Sequence, residues 1–246
     1  MDLQAGLVYG PLHSRRLGRS LGVNLAPAGR KTCNYNCSYC QYGWTDFPAR
    51  GEWPAPADVL DAVDRALANC PEVDHITVAG NGEPTLHPAF GPIAEGLVEV
   101  RARRAPEAKL ALLSNGSTLN RLDVVYGLSR FDERYMKLDA GDATTFRLLN
   151  APSVTLGRLI ADLRSVGHLT LQSMFVRDRD HIVDNTTPRA VEAWLRAVDT
   201  IRPEAVHLYS LHRAPARRSL LPVPALVLQQ IADRVSSLGI PAHVFA

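Results

Sequence analysis

Short apolar or β-branched runs alternate with longer stretches of helical period, and this alternation restricts the fold more than any other feature of the chain. Candidate strands fall at residues 21–25, 75–79, 110–114, 134–139, 169–176 and 205–211. Between and after them lie candidate helices at 56–69, 88–105, 119–128, 154–166, 188–201 and 224–238. The helix assignments rest on recurring apolar positions such as Val59, Leu60, Val63 and Ala66, and on prolines near the helix starts. Gly167 and Gly239 stand where helix C-termini favour glycine. A strand every 25 to 55 residues or so is the rhythm of successive βα units, which build a parallel sheet. Six strands are too few for a closed eight-stranded barrel, so the pattern predicts an α/β fold: a partial (β/α)6 TIM-type barrel with a parallel sheet. A doubly wound open sheet is the alternative, because periodicity does not order strands. In either case ligands gather at the carboxyl ends of the strands.

The 246 residues suit one sizeable domain over 1–246, with an N-terminal arm over about residues 1–19. A hydrophobic fraction of 46% supports a large core and excludes a wholly disordered chain. There is no apolar run long enough to suggest a membrane span, and the first residues lack a basic stretch followed by an apolar one. A cytoplasmic enzyme with no membrane partner is the expectation. The formal net charge of +2 does not advertise a nucleic-acid-binding face. Two arginine clusters stand out locally, Arg15, Arg16 and Arg19 early and Arg213, Arg217 and Arg218 late. Each reads either as solvated surface or as a contact for an anionic substrate.

Three of the four cysteines are crowded into Lys31-Thr-Cys33-Asn-Tyr-Asn-Cys37-Ser-Tyr-Cys40-Gln. A disulfide framework spreads its cysteines, so the crowding points to a metal centre in a reducing compartment. Three thiolates spaced C-x3-C-x2-C can hold three corners of a cubane iron–sulfur cluster and leave the fourth iron open to a non-protein ligand. A zinc site completed by a histidine such as His13 is the rival reading. Cys70, just before Pro71, reads as packing.

Further candidates follow the other strands. Gly80, Asn81, Gly82 and Glu83 form a glycine turn in which backbone can approach a ligand and a carboxylate can accept from an ammonium group. Ser114 and Asn115 suit ribose or carboxylate recognition, or a turn and N-cap before the next helix. Lys137 and Asp139 share one side of their strand. Charged groups facing into a parallel barrel are costly unless paired or liganded. Gln172 and Met174 alternate together, as do His207 and Tyr209, while Arg177, His212 and Arg213 lie toward the strand ends. His207 reads as a satisfied buried histidine or as a catalytic one.

The cysteine triad, with Tyr39 before its last member, resembles the radical S-adenosylmethionine (SAM) superfamily. Val8-Tyr-Gly-Pro-Leu-His-Ser-Arg-Arg-Leu-Gly-Arg-Ser-Leu-Gly-Val23, Gly82-Glu-Pro-Thr-Leu-His-Pro88 and Lys137-Leu-Asp-Ala-Gly-Asp142 narrow the likeness. Together they are similar to iron–sulfur oxidoreductases near the wyosine-synthase branch, from about Val8 to Pro215. The resemblance implies a partial barrel carrying one [4Fe–4S] cluster on Cys33, Cys37 and Cys40, with SAM chelating the open iron. It implies reductive cleavage of SAM to a 5′-deoxyadenosyl radical that abstracts hydrogen from substrate, with flavodoxin or ferredoxin as the type of electron donor. SAM contacts are implied for Tyr39, Gly80, Asn81, Gly82, Glu83, Ser114, Asn115, Lys137 and Asp139. Substrate contacts are expected at Gln172, Arg177, Tyr209, His212 and Arg213. Asn81 stands where the family pattern has a glycine. No cysteine precedes Cys33 to hold the second cluster of wyosine synthases, so a small-molecule, peptide or protein substrate is preferred. tRNA modification and a non-catalytic SAM-binding regulator are the alternatives.

Overall fold

A computed structural model describes residues 2–45 and 52–245. Along the chain it contains β1 (Val8–Ser14), β2 (Gly18–Val23), α1 (Pro56–Asn69), β3 (His75–Val78), α2 (Phe90–Arg104) and β4 (Lys109–Ser114). Next come α3 (Leu122–Leu128), β5 (Glu133–Lys137), α4 (Ala143–Asn150), α5 (Leu156–Val166), β6 (Thr170–Met174) and β7 (Val176–Asp178). The last elements are α6 (Pro188–Ile201), β8 (Ala205–Tyr209), β9 (Leu220–Pro222), α7 (Ala225–Ser236) and β10 (Ala242–Phe245). One eight-stranded sheet runs β1-β2-β3-β4-β5-β6-β8-β10 and curls into a half-barrel. Every pairing in it is parallel except β1 with β2. No helix among the described residues is long and apolar enough to cross a membrane.

Strand alternation separates two environments. Leu21, Val23, Ile76, Val78, Leu110, Leu112, Met136, Leu171, Val206 and Leu208 face the helices and form the main core with them. Helix α1 starts on Pro56 and buries Val59, Val63 and Leu67 at i, i+4 and i+8. Each such side chain contributes roughly 1.5–3 kcal/mol on burial. Helix α6 is capped by the Thr187 hydroxyl, which accepts from Ala190 N–H, and it buries Trp194. The Trp194 indole donates to Leu138 O at 2.9 Å, tying α6 to the end of β5. The opposite, inner face carries Ser20, Thr77, Tyr135, Lys137, Gln172, His207 and Tyr209. It is polar and aromatic where the outer face is aliphatic.

The structure departs from the periodicity in four places. The stretch expected to be an arm contains β1, an edge strand whose register shifts between Tyr9 and Leu12. Gly10-Pro11 interrupts its alternation, which an edge strand tolerates because it has an unpaired side. A seventh parallel strand, β10, is only four residues long. The single candidate strand at 169–176 divides at Phe175, where the chain leaves the main sheet for the β7–β9 ribbon. Helix α4 has eight residues, too few for a long periodic signature, and is started by the Asp142 carboxylate accepting from Thr145 N–H.

Gly141 joins β5 to α4 directly against α6. A Cβ there would meet the backbone of Ala193 at 2.1 Å and Trp194 N at 2.2 Å, and backbone atoms cannot swing aside. Gly141→Ala is expected to lower Tm by about 5–10 °C, from roughly 2–3 kcal/mol of overpacking. A thermal melt unchanged within 2 °C or so would contradict this packing.

Candidate functional site

The cysteine segment has almost no regular structure and is held by its backbone. Thr32 pairs with Gly82 beyond the end of β3: Thr32 N–H donates to Asn81 O at 2.7 Å and Glu83 N–H to Thr32 O at 2.9 Å. On its other side Asn36 N–H donates to Asn150 O at 2.9 Å and Ser38 N–H to Leu149 O at 2.7 Å. These two acceptors belong to the last turn of α4, where carbonyls lack helical partners. Arg217 N–H donates to Ser38 O at 2.8 Å, bringing the late arginine segment onto the same loop.

Glycine at 82 is required by this docking. Its φ is +152°, and a Cβ would stand 1.7 Å from Thr32 O. Gly80, at φ +145°, leaves room for Asn24, whose Oδ1 would be 2.5 Å from a Cβ. Both glycines give the protein's own chain a close approach at this turn. Asn81 is fully buried, and its amide accepts from Gln4 N–H at 2.7 Å and donates to Gln4 O at 2.8 Å.

All three cysteines are free, and as residues they are half-buried. Tyr35 N–H donates to Cys33 Sγ at 3.4 Å, the Asn115 amide approaches the same sulfur at 3.8 Å, and the Asn150 amide donates to Cys37 Sγ at 3.4 Å. Burial pushes the Cys33 thiol up to about 12, helped by the nearby Cys37 and Glu83 charges. Burial also raises Cys37, against the pull of Lys137. Metal binding at such thiols releases protons, and the N–H donors favour the anionic sulfur that results. Among the described residues no three His, Cys, Asp or Glu side chains are gathered to chelate one metal ion. A cubane instead takes each thiolate on a different iron, and thiols furnished with N–H donors fit that group. The zinc alternative with His13 does not hold, because His13 pairs with Arg19 at the far end of β2 from the cysteine loop.

Glu83 is 2% exposed and its carboxylate is occupied by the protein. It accepts from Thr85 N–H (3.1 Å), Thr85 Oγ1 (2.6 Å), Ser114 Oγ (2.7 Å) and Asn115 N–H (2.6 Å). Burial nonetheless raises its pKa against those four bonds. The carboxylate ties the loops after β3 and β4 together. Ser114 and Asn115 do not cap the next helix: α3 begins only at Leu122, with no side-chain cap.

Lys137 and Asp139 meet at 3.5 Å between Nζ and Oδ1. Lys137 donates to Tyr209 OH at 2.7 Å and sits 4.8 Å from the Tyr39 ring centroid. Asp139 accepts from Tyr39 OH, from the Asn150 amide at 2.8 Å and from Met174 N–H at 2.8 Å. Burial would lower the Lys137 pKa, but attraction to Asp139, Tyr209 and Cys37 outweighs it and raises the pKa. The ammonium therefore stays charged beside Cys37. Asn150, which bridges this group to Cys37, escaped the sequence reading, as an asparagine in a short helix looks like a cap. Only the Asp142 start and the Phe146–Leu149 spacing could have revealed that helix.

The remaining candidates divide. Gln172 and Tyr209 share the inner face with Lys137. Arg213 reaches Gln41, beside Cys40. Arg177 turns outward from the β7–β9 ribbon to Thr186 Oγ1 at 2.9 Å, and His212 is exposed. Cys70 accepts from Arg19 Nη2 at 2.9 Å at the end of α1. His207 is buried among the rings of Tyr135, His243 and Phe245, and its Nδ1 has no partner.

Residues 31–161 match the model of the radical SAM superfamily. The chain is 33% identical over 214 residues to the UPF0026 protein slr1464 of Synechocystis sp., covering 82% of this chain and 74% of that protein. It is 29% identical over 220 residues to a Brachyspira hyodysenteriae protein named GTPase Obg, covering 86% of this chain but 31% of that one. For two Helicobacter pylori relatives the share covered is 46% and 64%, so the chain spans only part of the length of each of these relatives, from 31% to 74%. In fold it is similar to a radical SAM methyltransferase from Sphaerobacter thermophilus, with TM-score 0.65, 17% identity, and coverage of 92% of this chain and 66% of that one. It is also similar to archaeal TYW1, with TM-score 0.57, 13% identity, and coverage of 89% and 72%. A half-barrel whose first parallel strand leads into three clustered cysteines is the architecture of an enzyme class, and the matched model covers more than half of the chain. The chain belongs to the radical SAM superfamily. Membership implies an iron–sulfur cluster and SAM as its cofactors.

His207 provides a pH test of the inner face. Burial, with help from Arg16 and His243, holds its pKa down near 4. Between pH 6.5 and 4 the unfolded chain takes up a proton at this site that the folded chain refuses, so stability falls as pH falls. Allowing for partial screening, the loss is about 1–2 kcal/mol, or some 3–6 °C in Tm. His207→Phe should remove that part of the acid slope, and parallel melting curves for the two proteins from pH 7 to 4 would refute it.

Proposed function

We propose that the chain is a radical SAM enzyme with a single [4Fe–4S] cluster on Cys33, Cys37 and Cys40, acting on a small-molecule, peptide or protein substrate. The observation that carries the reading is the placement of these thiols at the carboxyl end of the sheet, with N–H donors on two of them and a charged lysine beside one. When bound, the reduced cluster and SAM supply a 5′-deoxyadenosyl radical that abstracts hydrogen.

The chain's own residues divide the remaining work. Asn115, Asn150 and the Tyr35 N–H stabilise negative charge on sulfur. Lys137 places a permanent positive charge between the cluster loop and the inner face, suited to the SAM carboxylate. Tyr39 and Asp139 orient that lysine, and Ser114 and Asn115 offer polar groups to the nucleoside. Glu83 is a positioning residue: it fixes Ser114 and Asn115, and its neighbours Gly80, Asn81 and Gly82 dock the cysteine loop. Gln172, Tyr209 and Arg213 line the approach for substrate, with His212 and Arg177 farther out. Electrons arrive from a flavodoxin- or ferredoxin-type donor at the partly accessible thiol loop. Arg19 pairs with Glu72, Arg213 with Gln41 and Arg217 with Asp178, which weakens the support that the two arginine clusters give to tRNA.

Anaerobic reconstitution with iron and sulfide, then dithionite and SAM, is expected to yield 5′-deoxyadenosine, increasing when substrate is present. An intact cluster that binds SAM but releases none with any candidate substrate would sink the proposal. Cys37→Ala should lose cluster absorbance and keep the wild-type circular dichroism, since a chain this long has a core independent of its metal. Global unfolding of that variant would instead make the cluster part of the fold.

A further inference from the structure

The hairpin between β1 and β2 folds across the N-terminal end of the half-barrel. Leu17 at its tip is buried with Ala111 and Tyr135 of the inner face, and His75 Nδ1 lies 2.7 Å from Leu17 O. This insertion carries the neighbouring Arg16 inside, while Arg15 stays exposed and Arg19 turns out to Glu72 and Cys70. Arg16 extends along the interior until its guanidinium stands 5.0 Å from the Tyr209 ring centroid. Its Nη1 is buried without a partner, and no described residue gives the guanidinium a hydrogen bond or ion pair.

Nearby carboxylates do not neutralise it. Glu133 is taken by Lys109 at 2.9 Å, Tyr135 OH at 2.6 Å and His75 at 3.1 Å. Asp139 is taken by Tyr39, Asn150, Met174 N–H and Lys137. With Lys137 paired to Asp139 and His207 held neutral, the Arg16 guanidinium is the charge that these described carboxylates leave uncompensated on this face. A half-buried guanidinium whose buried Nη1 has no partner beside the Tyr209 ring is costly to keep so unless an oxyanion completes it. From Tyr209 a polar line runs through Lys137 (2.7 Å), Asp139 (3.5 Å) and Asn150 (2.8 Å) to Cys37 Sγ (3.4 Å).

We propose that Arg16 binds an anionic group of the substrate, a carboxylate or a phosphate, at the inner floor of the half-barrel. The rest of the substrate then lies along the inner face toward the cysteine loop. The assignment rests on the radical SAM reading only for calling that ligand the substrate; the anion site itself does not.

The test uses the full chain, as purified and reconstituted, with no turnover required. At fixed ionic strength, sodium phosphate or sodium succinate at about ten times its midpoint concentration should raise the wild-type Tm by about 2–4 °C. The better of the two anions distinguishes phosphate from carboxylate recognition. Arg16→Gln should lose the rise and shift the midpoint at least about tenfold, while exposed Arg15→Gln behaves as wild type. Should Arg16→Gln fold poorly, Arg16→Lys keeps the charge without the bidentate fork and should show a reduced rise. No rise in wild type overturns the proposal, as does an equal rise in the Arg16 variants, which marks general salt exclusion. SAM cleavage without an anion response strikes only this site, and an anion response without cleavage strikes only the radical chemistry.

Discussion

A cysteine loop without regular structure must still find partners for its buried N–H and C=O groups, and everything at the site follows from where it finds them. One set is the edge of the turn after β3, where Thr32 continues the sheet by a single bridge to Gly82. The other is the carboxyl end of α4, whose last carbonyls accept from Asn36 and Ser38. The thiols are thus positioned by two elements far apart in sequence that the sheet brings together. A glycine with no Cβ on one side and open helical carbonyls on the other make both dockings sterically and electrostatically possible.

The inner face extends the same constraint to side chains. Buried polar groups in a low-dielectric interior are costly unless satisfied, and most here are satisfied several times over. Glu83 accepts four hydrogen bonds, and Asp139 gathers Tyr39, Asn150, Met174 N–H and Lys137. Such saturation makes rigid supports of these two carboxylates. Nine buried side-chain atoms among the described residues lack a hydrogen-bond partner, and three of them are informative here: Arg16 Nη1, His207 Nδ1 and Asn150 Oδ1. All three belong to residues on or beside the inner face, where natural proteins depart from full satisfaction for function.

Much of the architecture was legible because it is written in local periodicity. The bounds expected for α1 and α6 match those observed, since each begins with a proline at its first turn and repeats its apolar residues at helical spacing. Elements without such marks were missed: β1 is interrupted by Gly10-Pro11, β10 is four residues long, and α4 is a two-turn helix. The site was legible as a set of segments. Lys137 and Asp139 meet as strand alternation implies, whereas Glu83 turned out to hold Ser114 and Asn115, and Arg177 points away.

The sequence by itself determined the βα order, the aliphatic outer face and three thiolates at a spacing suited to a cubane cluster, because each depends on residues close together in the chain. Only tertiary structure decided that Asn150 donates to Cys37 across 113 residues and that Lys137 joins Tyr209 across 72. It also decided that, of three arginines in one hairpin, Arg16 alone enters the barrel. Periodicity says which face a residue takes, but sheet curvature and hairpin insertion determine what that face meets.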